Sequence, residues 1–337
     1  DVYKRQGYAT LVQKNTLESL DDYITDAGIN LADFNGITDQ VTVDGSLYEL
    51  PFRSDYWLIY YNKDVFDAAG IAYPSNDMTM EDYDALARQL TDTTYGSQVY
   101  GCHYHTWRSA VELFGILDGK HSILDGNYDW MIPYYDMILS EEDDGVCQTY
   151  TDLSTEGLHY SAAFSNGNVA MMNMGSWFIS TLISNLDSGE YDSSLCGNWG
   201  IASYPHPDGA EAGSTIATIT GLAVTSASAN KDAAFDFVNW VSGTEGAKVM
   251  ASTGNFPAIM TDDVINTIAG MAGFPTDESS KEALNITNAY LEVPYAENVS
   301  EINSILDTYH TSIMNREVTV EEGVASMNEQ VGKILNQ

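Results

Sequence analysis

An α/β fold is predicted by three features of this 337-residue chain. Short β-rich runs alternate with segments whose apolar residues recur at helical spacing. The composition, 44% hydrophobic and 11% aromatic, is sufficient for two domains with cores of their own. The chain also has no internal repeat at a solenoid period, so a repeat architecture is not indicated.

The N-terminal third contains a turn signal, a strand and a short helix. Apolar residues alternate on both sides of Asp44-Gly45, which predicts a β-hairpin over residues 41–51. Residues 57–61 are β-rich and predict a strand. A short helix is predicted over residues 65–69, ending at Gly70.

The middle of the chain carries the clearest helix signal. Thr79 and Asp82 have the spacing of a capping box, which predicts a helix over residues 79–91. The remaining elements are predicted from the same periodicities: helices over 107–117, 151–165, 231–241 and 246–252, a helix beginning at Trp177, strands over 169–174, 198–204 and 216–224, and a mostly helical segment from 277 onward that Pro294 interrupts.

The net charge restricts the partners. The chain has 13 Lys and Arg against 49 Asp and Glu, a net charge of −36. Such a surface repels nucleic acid and anionic lipid, so we expect neither as a partner. The charge suits a protein that handles a neutral or cationic solute. The alternative interpretation is that the charge only keeps the protein soluble.

Cysteine and histidine spacing indicates no metal site. Cys102, Cys147 and Cys196 form no CxxC pair and match no zinc pattern, so buried thiols are expected. His103 and His105 lie two residues apart, but we identify no further ligands beside them. The sequence therefore predicts neither a metal nor a cofactor.

The common catalytic motifs are missing from the sequence. GxSxG, HExxH, GxxxxGK[ST] and GxGxxG do not occur. Paired carboxylates could serve a glycosidase, but with 49 acidic residues some pairing is inevitable. We therefore expect a protein that is not an enzyme, with a carbohydrate-active enzyme as the alternative.

The aromatic residues favour a sugar ligand. The chain has 22 tyrosines and 6 tryptophans, and flat aromatic faces stack on the C–H faces of sugar rings. Most of the tryptophans are expected in the core. Trp177 differs, because it follows Gly175-Ser176 at a strand–turn–helix junction, where helix N-terminal amides face a cleft.

Several sequence blocks carry a resemblance to a known family. The run DGSLYELPFR at 44–53, followed by YYNKDVF at 60–66, resembles the signature of the family 1 extracellular solute-binding proteins, of which the maltose-binding protein is a member. Three later blocks fit in the same order: FSNGNVAM with GSW at 164–177, NWGI with YP at 198–205, and GLAV with the helix at 228–240.

The resemblance implies a type II periplasmic-binding-protein fold, with two α/β lobes joined by a multi-strand hinge. The chain would cross the hinge near residues 54–57, 216–221 and 265–270. The implied N-terminal lobe comprises residues 7–55 plus 220–266. The implied C-terminal lobe comprises residues 56–217 plus 267–337.

The resemblance also implies ligand-binding residues. Asp55 matches an acidic hinge position that bonds sugar hydroxyls, although a salt bridge to Arg53 is the alternative role. Trp177 matches a tryptophan that stacks on a sugar ring. Tyr104 falls near an aromatic ligand contact, with His105 and Trp107 beside it.

Three further ligand contacts are expected on the same ground. Thr220 lies at the second hinge crossing. The family's second stacking tryptophan is replaced here by Asn303, so we expect Tyr295 or Asn298 to take over that contact.

The resemblance implies the sugar-capturing component of an ABC importer. Such a protein closes around a sugar or oligosaccharide and delivers it to membrane permease subunits. We expect a monomer in the periplasm, or lipid-anchored at the outer face of the cell membrane. A binding protein of the same fold for iron or a polyamine is the remaining alternative.

The N-terminal residues are expected to be foreign to the fold. Residues 1–6 read DVYKRQ, which resembles the translation of a transposase adaptor used in sequencing libraries. Native sequence would then begin near Gly7. The resemblance implies that a signal segment and the first elements of the N-terminal lobe would precede it.

Overall fold

A computed structural model describes residues 8–34, 36–92, 98–296 and 298–336. The helices are α1 (Tyr8–Gln13), α2 (Asp21–Ala27), α3 (Ile37–Gln40), α4 (Lys63–Ala69), α5 (Met80–Leu90), α6 (Ser109–Ile116), α7 (Ile132–Asp143), α8 (Tyr150–Glu156), α9 (Tyr160–Ser165), α10 (Trp177–Ser188), α11 (Ser193–Cys196), α12 (Lys231–Ser242), α13 (Thr244–Ala251), α14 (Asp262–Ala269), α15 (Glu278–Glu282), α16 (Val299–Met314) and α17 (Val320–Leu335). The strands are β1 (Glu49–Asn62), β2 (Tyr100–His103), β3 (Val169–Gly175), β4 (Trp199–Ala202), β5 (Ser214–Ala223) and β6 (Asn288–Leu291). Within those described residues, none of the helices has the length and apolar character needed to span a bilayer.

The long strand β1 belongs to two groups of strands. Its first half pairs antiparallel with β5, from Glu49 opposite Ala223 to Tyr56 opposite Ala217. Its second half pairs antiparallel with β3 and β4, beginning at Trp57 opposite Gly175. Parallel neighbours then extend both groups, β6 beside β5 and β2 beside β3. The whole sheet therefore depends on one strand that changes partners between Tyr56 and Trp57.

Local signals place several element ends where the sequence predicts them. The Thr79 hydroxyl accepts from the Asp82 amide, and the Asp82 carboxylate accepts from the Thr79 amide, so the capping box is confirmed. Asn62 ends β1 and caps α4, its side chain accepting from the Asp64 amide. Gly70 ends α4 at φ 69°, a left-handed conformation that glycine adopts without steric cost.

The hairpin predicted over residues 41–51 is reduced to its turn. Asp44 and Gly45 both have positive φ, and Val43 exchanges two backbone hydrogen bonds with Ser46, as in a two-residue hairpin turn. The C-terminal flank does not pair back on the N-terminal flank. It continues into β1, because β5 offers a much longer pairing surface.

The helix predicted over residues 151–165 is two helices. Gly157 has φ 61° and ends α8. His159 then caps α9, its side chain accepting from the Ser161 amide. The apolar spacing continues across the break, which is why the periodicity alone did not reveal it.

The third hinge crossing, expected near residues 265–270, falls on α14 and its C-cap Gly270 and not on a strand. The strand beside β5 is β6. The position of that crossing remains a prediction. The first two crossings do pair, with Ser54 opposite Ile219. The lobe boundaries remain a prediction, and the expectation for residues 1–6 lies outside the described residues.

Candidate functional site

Three tryptophans from distant parts of the chain meet beside the point where β1 changes partners. Trp57 lies in β1, Trp107 precedes α6, and Trp177 is the first residue of α10. The ring centroids of Trp57 and Trp177 are 5.5 Å apart, and Trp107 lies 6.4 Å from each of them. Trp57 is buried, whereas the Trp107 side chain is 41% exposed and accessible to a solute.

Tyr160 and His105 complete this group. The indole N–H of Trp177 donates to the Tyr160 hydroxyl at 3.1 Å. The His105 ring packs edge-on against both Trp107 and Tyr160, at 4.6 and 5.4 Å. We call Trp57, Trp107, Trp177, Tyr160 and His105 the aromatic cluster. Burial lowers the pKa of His105 to about 4, so its ring is neutral at neutral pH.

Gly175 allows Trp177 to fold back over the strand end. A Cβ built on Gly175 would lie 1.9 Å from the indole ring of Trp177. Only a residue without a side chain leaves room for the ring there. The small residue before the helix therefore positions the indole within the aromatic cluster.

A buried carboxylate links the cluster to the paired strands β1 and β5. Asp55 lies in β1, and its Oδ2 is 2.7 Å from Nε of Arg53. The Ser176 hydroxyl donates to Oδ1 at 3.2 Å. Burial raises the pKa of Asp55, and the Arg53 guanidinium opposes that shift. The salt bridge considered as an alternative role for Asp55 is thus present.

Asp55 is part of a polar stripe on one face of the two strands. Residues directly opposite in an antiparallel pair share a face, and Arg53 lies opposite Thr220 while Asp55 lies opposite Thr218. The Thr218 hydroxyl donates to Oε2 of Glu292 at 2.8 Å. We call Arg53, Asp55, Thr218 and Thr220 the polar stripe.

A cavity of about 250 Å³ has Trp107 and Glu292 among its lining residues. The Arg108 guanidinium lines it and is held by Asp307 (Nε–Oδ1 2.9 Å) and Asn303 (Nη2–Oδ1 2.5 Å). The cavity thus brings an aromatic face together with carboxylates and fixed hydrogen-bonding groups. Pockets for small polar solutes combine these features.

Comparison with known proteins assigns the family. The sequence profile of the bacterial extracellular solute-binding proteins matches residues 6–248. This chain belongs to that family. A sugar transporter from Rhizobium etli, crystallised in an open conformation, shares 46% sequence identity with a TM-score of 0.92, over 98% of this chain and 84% of that one. No curated protein sequence matches the chain.

Two more distant structures share the fold of this solute-binding protein. An ABC substrate-binding protein from Listeria monocytogenes, in complex with cycloalternan, has a TM-score of 0.81 at 22% identity, over 100% of this chain and 84% of that one. The sugar-binding protein MalE from Xanthomonas citri has a TM-score of 0.77 at 19% identity, over 99% and 83%. The expected type II periplasmic-binding-protein fold is confirmed.

Tyr104 does not join the aromatic cluster of this solute-binding protein. Its ring is buried, and the ring centroid lies 6.4 Å from that of Tyr83 and 6.3 Å from that of Phe114. Because successive side chains of an extended segment point to opposite sides, Tyr104 faces the core while His105 faces the cluster. Tyr104 therefore lies on the core side of this segment, away from the aromatic cluster.

Tyr295 and Asn298 also lie outside the cluster. The Tyr295 hydroxyl donates to Oε1 of Glu49 at 3.1 Å, and its ring packs edge-on against Tyr8 at 4.9 Å. Asn298 has φ 63° and directly precedes α16. As ligand contacts, both remain predictions from the family resemblance.

The sequence interpretation missed two members of the cluster. Trp57 lies in the β-rich run that predicts an ordinary strand, although its position two residues after Asp55 puts both on one face of β1. Tyr160 lies inside the single helix predicted over residues 151–165. It begins α9 instead, and no local signal indicated that it would meet Trp177.

Proposed function

We propose that this solute-binding protein captures a sugar or oligosaccharide outside the cytoplasm and delivers it to the permease subunits of an ABC importer. The observation that carries the proposal is the aromatic cluster lying beside the polar stripe. Aromatic faces bind the apolar faces of sugar rings, and carboxylate, guanidinium and hydroxyl groups bind their hydroxyls.

The protein would capture its ligand by closing at the hinge. Strand β1 is shared by two groups of strands, so a change of its twist near Tyr56 and Trp57 moves one group relative to the other. Asp55 precedes that point, and its partner Ser176 lies at the junction of β3 and α10. A sugar bound across both would favour the closed form by its additional contacts there.

The ligands of structurally similar proteins support the sugar class. The Listeria monocytogenes protein was crystallised with cycloalternan, and MalE3 of T. maritima with maltose. The Rhizobium etli protein, at 46% identity, is described as a sugar transporter. We infer a carbohydrate ligand for this chain as well.

We further propose that the protein binds its ligand without turning it over and acts as a monomer. The carboxylate of Asp55 is held by Arg53 and Ser176, which suits a fixed hydrogen-bond acceptor better than a proton donor. The iron alternative gains no support from Tyr60 and Tyr61. Both side chains are fully buried, and the Tyr60 hydroxyl donates to the Gly175 carbonyl.

The test is a calorimetric titration of the purified protein with monosaccharides, disaccharides and oligosaccharides, alongside ferric iron and a polyamine. We expect saturable binding of at least one sugar and no hydrolysis of the corresponding glycoside. Trp107→Ala should weaken that binding, whereas Trp240→Ala should not, because Trp240 lies exposed on α12. Binding of iron or polyamine alone, or turnover of a glycoside, would refute the proposal.

A further inference from the structure

Two buried cysteines meet on the side of β2 that faces away from the aromatic cluster. The sulfur atoms of Cys102 and Cys147 and a carboxylate oxygen of Glu141 lie within 4.8 Å of one another. Cys102 is in β2, and Cys147 follows α7 after a short turn. Neither side chain is more than 3% exposed.

Contacts on both sides of the two cysteines hold them next to one another. The Cys102 amide donates to the carbonyl of Val146, the residue before Cys147, with an N–O distance of 3.4 Å. One residue further along each segment, His103 Nδ1 lies 3.2 Å from Gln148 Oε1. These two contacts hold the segment around residues 146–148 against β2 and keep Cys147 beside Cys102.

We propose that Cys102 and Cys147 form a disulfide bond in the exported protein. Two thiols lose two protons and two electrons, and one S–S bond forms. A disulfide-bearing oxidoreductase of the extracytoplasmic compartment accepts the electrons and is reduced to its dithiol. Disulfides persist in such compartments, and the extracellular location of the family supplies this condition. The inference rests on that location only and not on the nature of the ligand.

The bond would stabilise one wall of the proposed ligand cleft. Strand β2 is the outer strand of its group, and Val146 lies along its free edge. The chain continues from β2 directly to His105 and Trp107. A cross-link at Cys102 would therefore fix the start of the segment that carries two members of the aromatic cluster.

The position of Cys196 supplies a matched control. Cys196 ends α11, where its sulfur lies 3.7 Å from the carbonyl oxygen of Asp192. It is buried like the other two cysteines but takes no part in their contact. Counting free thiols can therefore distinguish a specific bond between Cys102 and Cys147 from a protection that burial gives to all three cysteines.

The experiment exports the full chain to an oxidising bacterial periplasm, denatures it in acid and counts alkylated thiols by mass spectrometry. We expect one reactive thiol in the parent protein, none in Cys196→Ser and two in Cys102→Ser. Peptide mapping should recover a fragment that joins Cys102 to Cys147. A reducing agent should lower the melting temperature of the parent by about 3–6 °C and leave that of Cys102→Ser unchanged.

Other outcomes would overturn the proposal. Three alkylated thiols in the denatured parent would mean that the cysteines remain reduced. Three thiols together with a stoichiometric zinc ion in the native protein would mean that Cys102, Glu141 and Cys147 hold a metal instead. Because the count needs no ligand, its result is independent of whether the protein binds a sugar.

Discussion

Replacing Trp177 by alanine separates a role in ligand binding from a role in the core. The indole packs edge-on against Trp57, lies 6.4 Å from Trp107 and donates a hydrogen bond to Tyr160. These contacts orient the ring but leave it only partly buried. The substitution therefore removes a stacking surface and also some stabilising contacts, so both effects have to be measured.

The stability cost follows from the contacts of the indole. The lost hydrogen bond contributes about 1 kcal/mol, the lost edge-on ring contact about 1 kcal/mol, and the lost burial of the half-buried indole about 1–2 kcal/mol more. A loss of about 3–4 kcal/mol lowers the melting temperature of a chain of this size by about 5 °C, because its entropy of unfolding is about 0.7 kcal/mol/K. The mutant should therefore remain folded at 25 °C.

The same substitution should also reduce the affinity for the sugar. Tryptophans at the centre of a binding site typically cost about 2 kcal/mol or more when truncated, which is a factor of about thirty in the dissociation constant. Calorimetric titration with the sugar that the parent binds measures this factor directly. The ligand-induced change in tryptophan fluorescence should shrink without vanishing, since Trp57 and Trp107 remain in the cluster.

Two variants control for indirect effects. Tyr160→Phe removes the acceptor of the indole hydrogen bond but keeps both rings, so it should weaken binding less than Trp177→Ala does. Trp240→Ala removes an indole that is 54% exposed on α12 and should change neither affinity nor stability appreciably. If Trp177→Ala binds the sugar like the parent protein while melting much lower, the residue is a core residue and the proposed ligand surface is wrong.

Three more predictions follow from the site and its surroundings. Asp55→Asn should weaken sugar binding about tenfold, because a charge-assisted hydrogen-bond acceptor is lost, and should lower the melting temperature by only a few degrees. If calorimetry finds a large fall in melting temperature with unchanged affinity, the role of Asp55 is limited to its salt bridge. Gly175→Ala should reduce affinity because the new methyl group displaces the Trp177 ring, and unchanged affinity in the same titration would contradict that steric argument. Burial raises the pKa of Glu49 to about 7 and that of Glu141 to about 8, so the native state retains protons that the unfolded chain releases near pH 4.5. The free energy of unfolding should therefore fall as the pH rises from 5 to 8, by about 3 kcal/mol for Glu49. Scanning calorimetry should find that the stability of Glu141→Gln depends less steeply on pH. A rise of stability with pH would contradict the raised pKa values of the two carboxyl groups.

The sequence by itself determined the family, the α/β class and those element ends that carry a local capping or turn signal. The capping box at Thr79, the stop at Gly70 and the turn at Asp44-Gly45 depend on residues only a few positions apart, so their physics can be read from a short window. The proposed roles of Trp177 and Asp55 came from the family resemblance together with such local signals.

Only the tertiary structure decided which side chains meet. Trp57, Trp107 and Tyr160 come from a strand, a loop and a helix that are far apart in the chain, and their contacts depend on the pairing of β1 with β3. The same holds for the contact between Asp55 and Ser176. Periodicity predicts which face of an element is buried, but long-range strand register decides which faces come together, and no short window of sequence encodes that register.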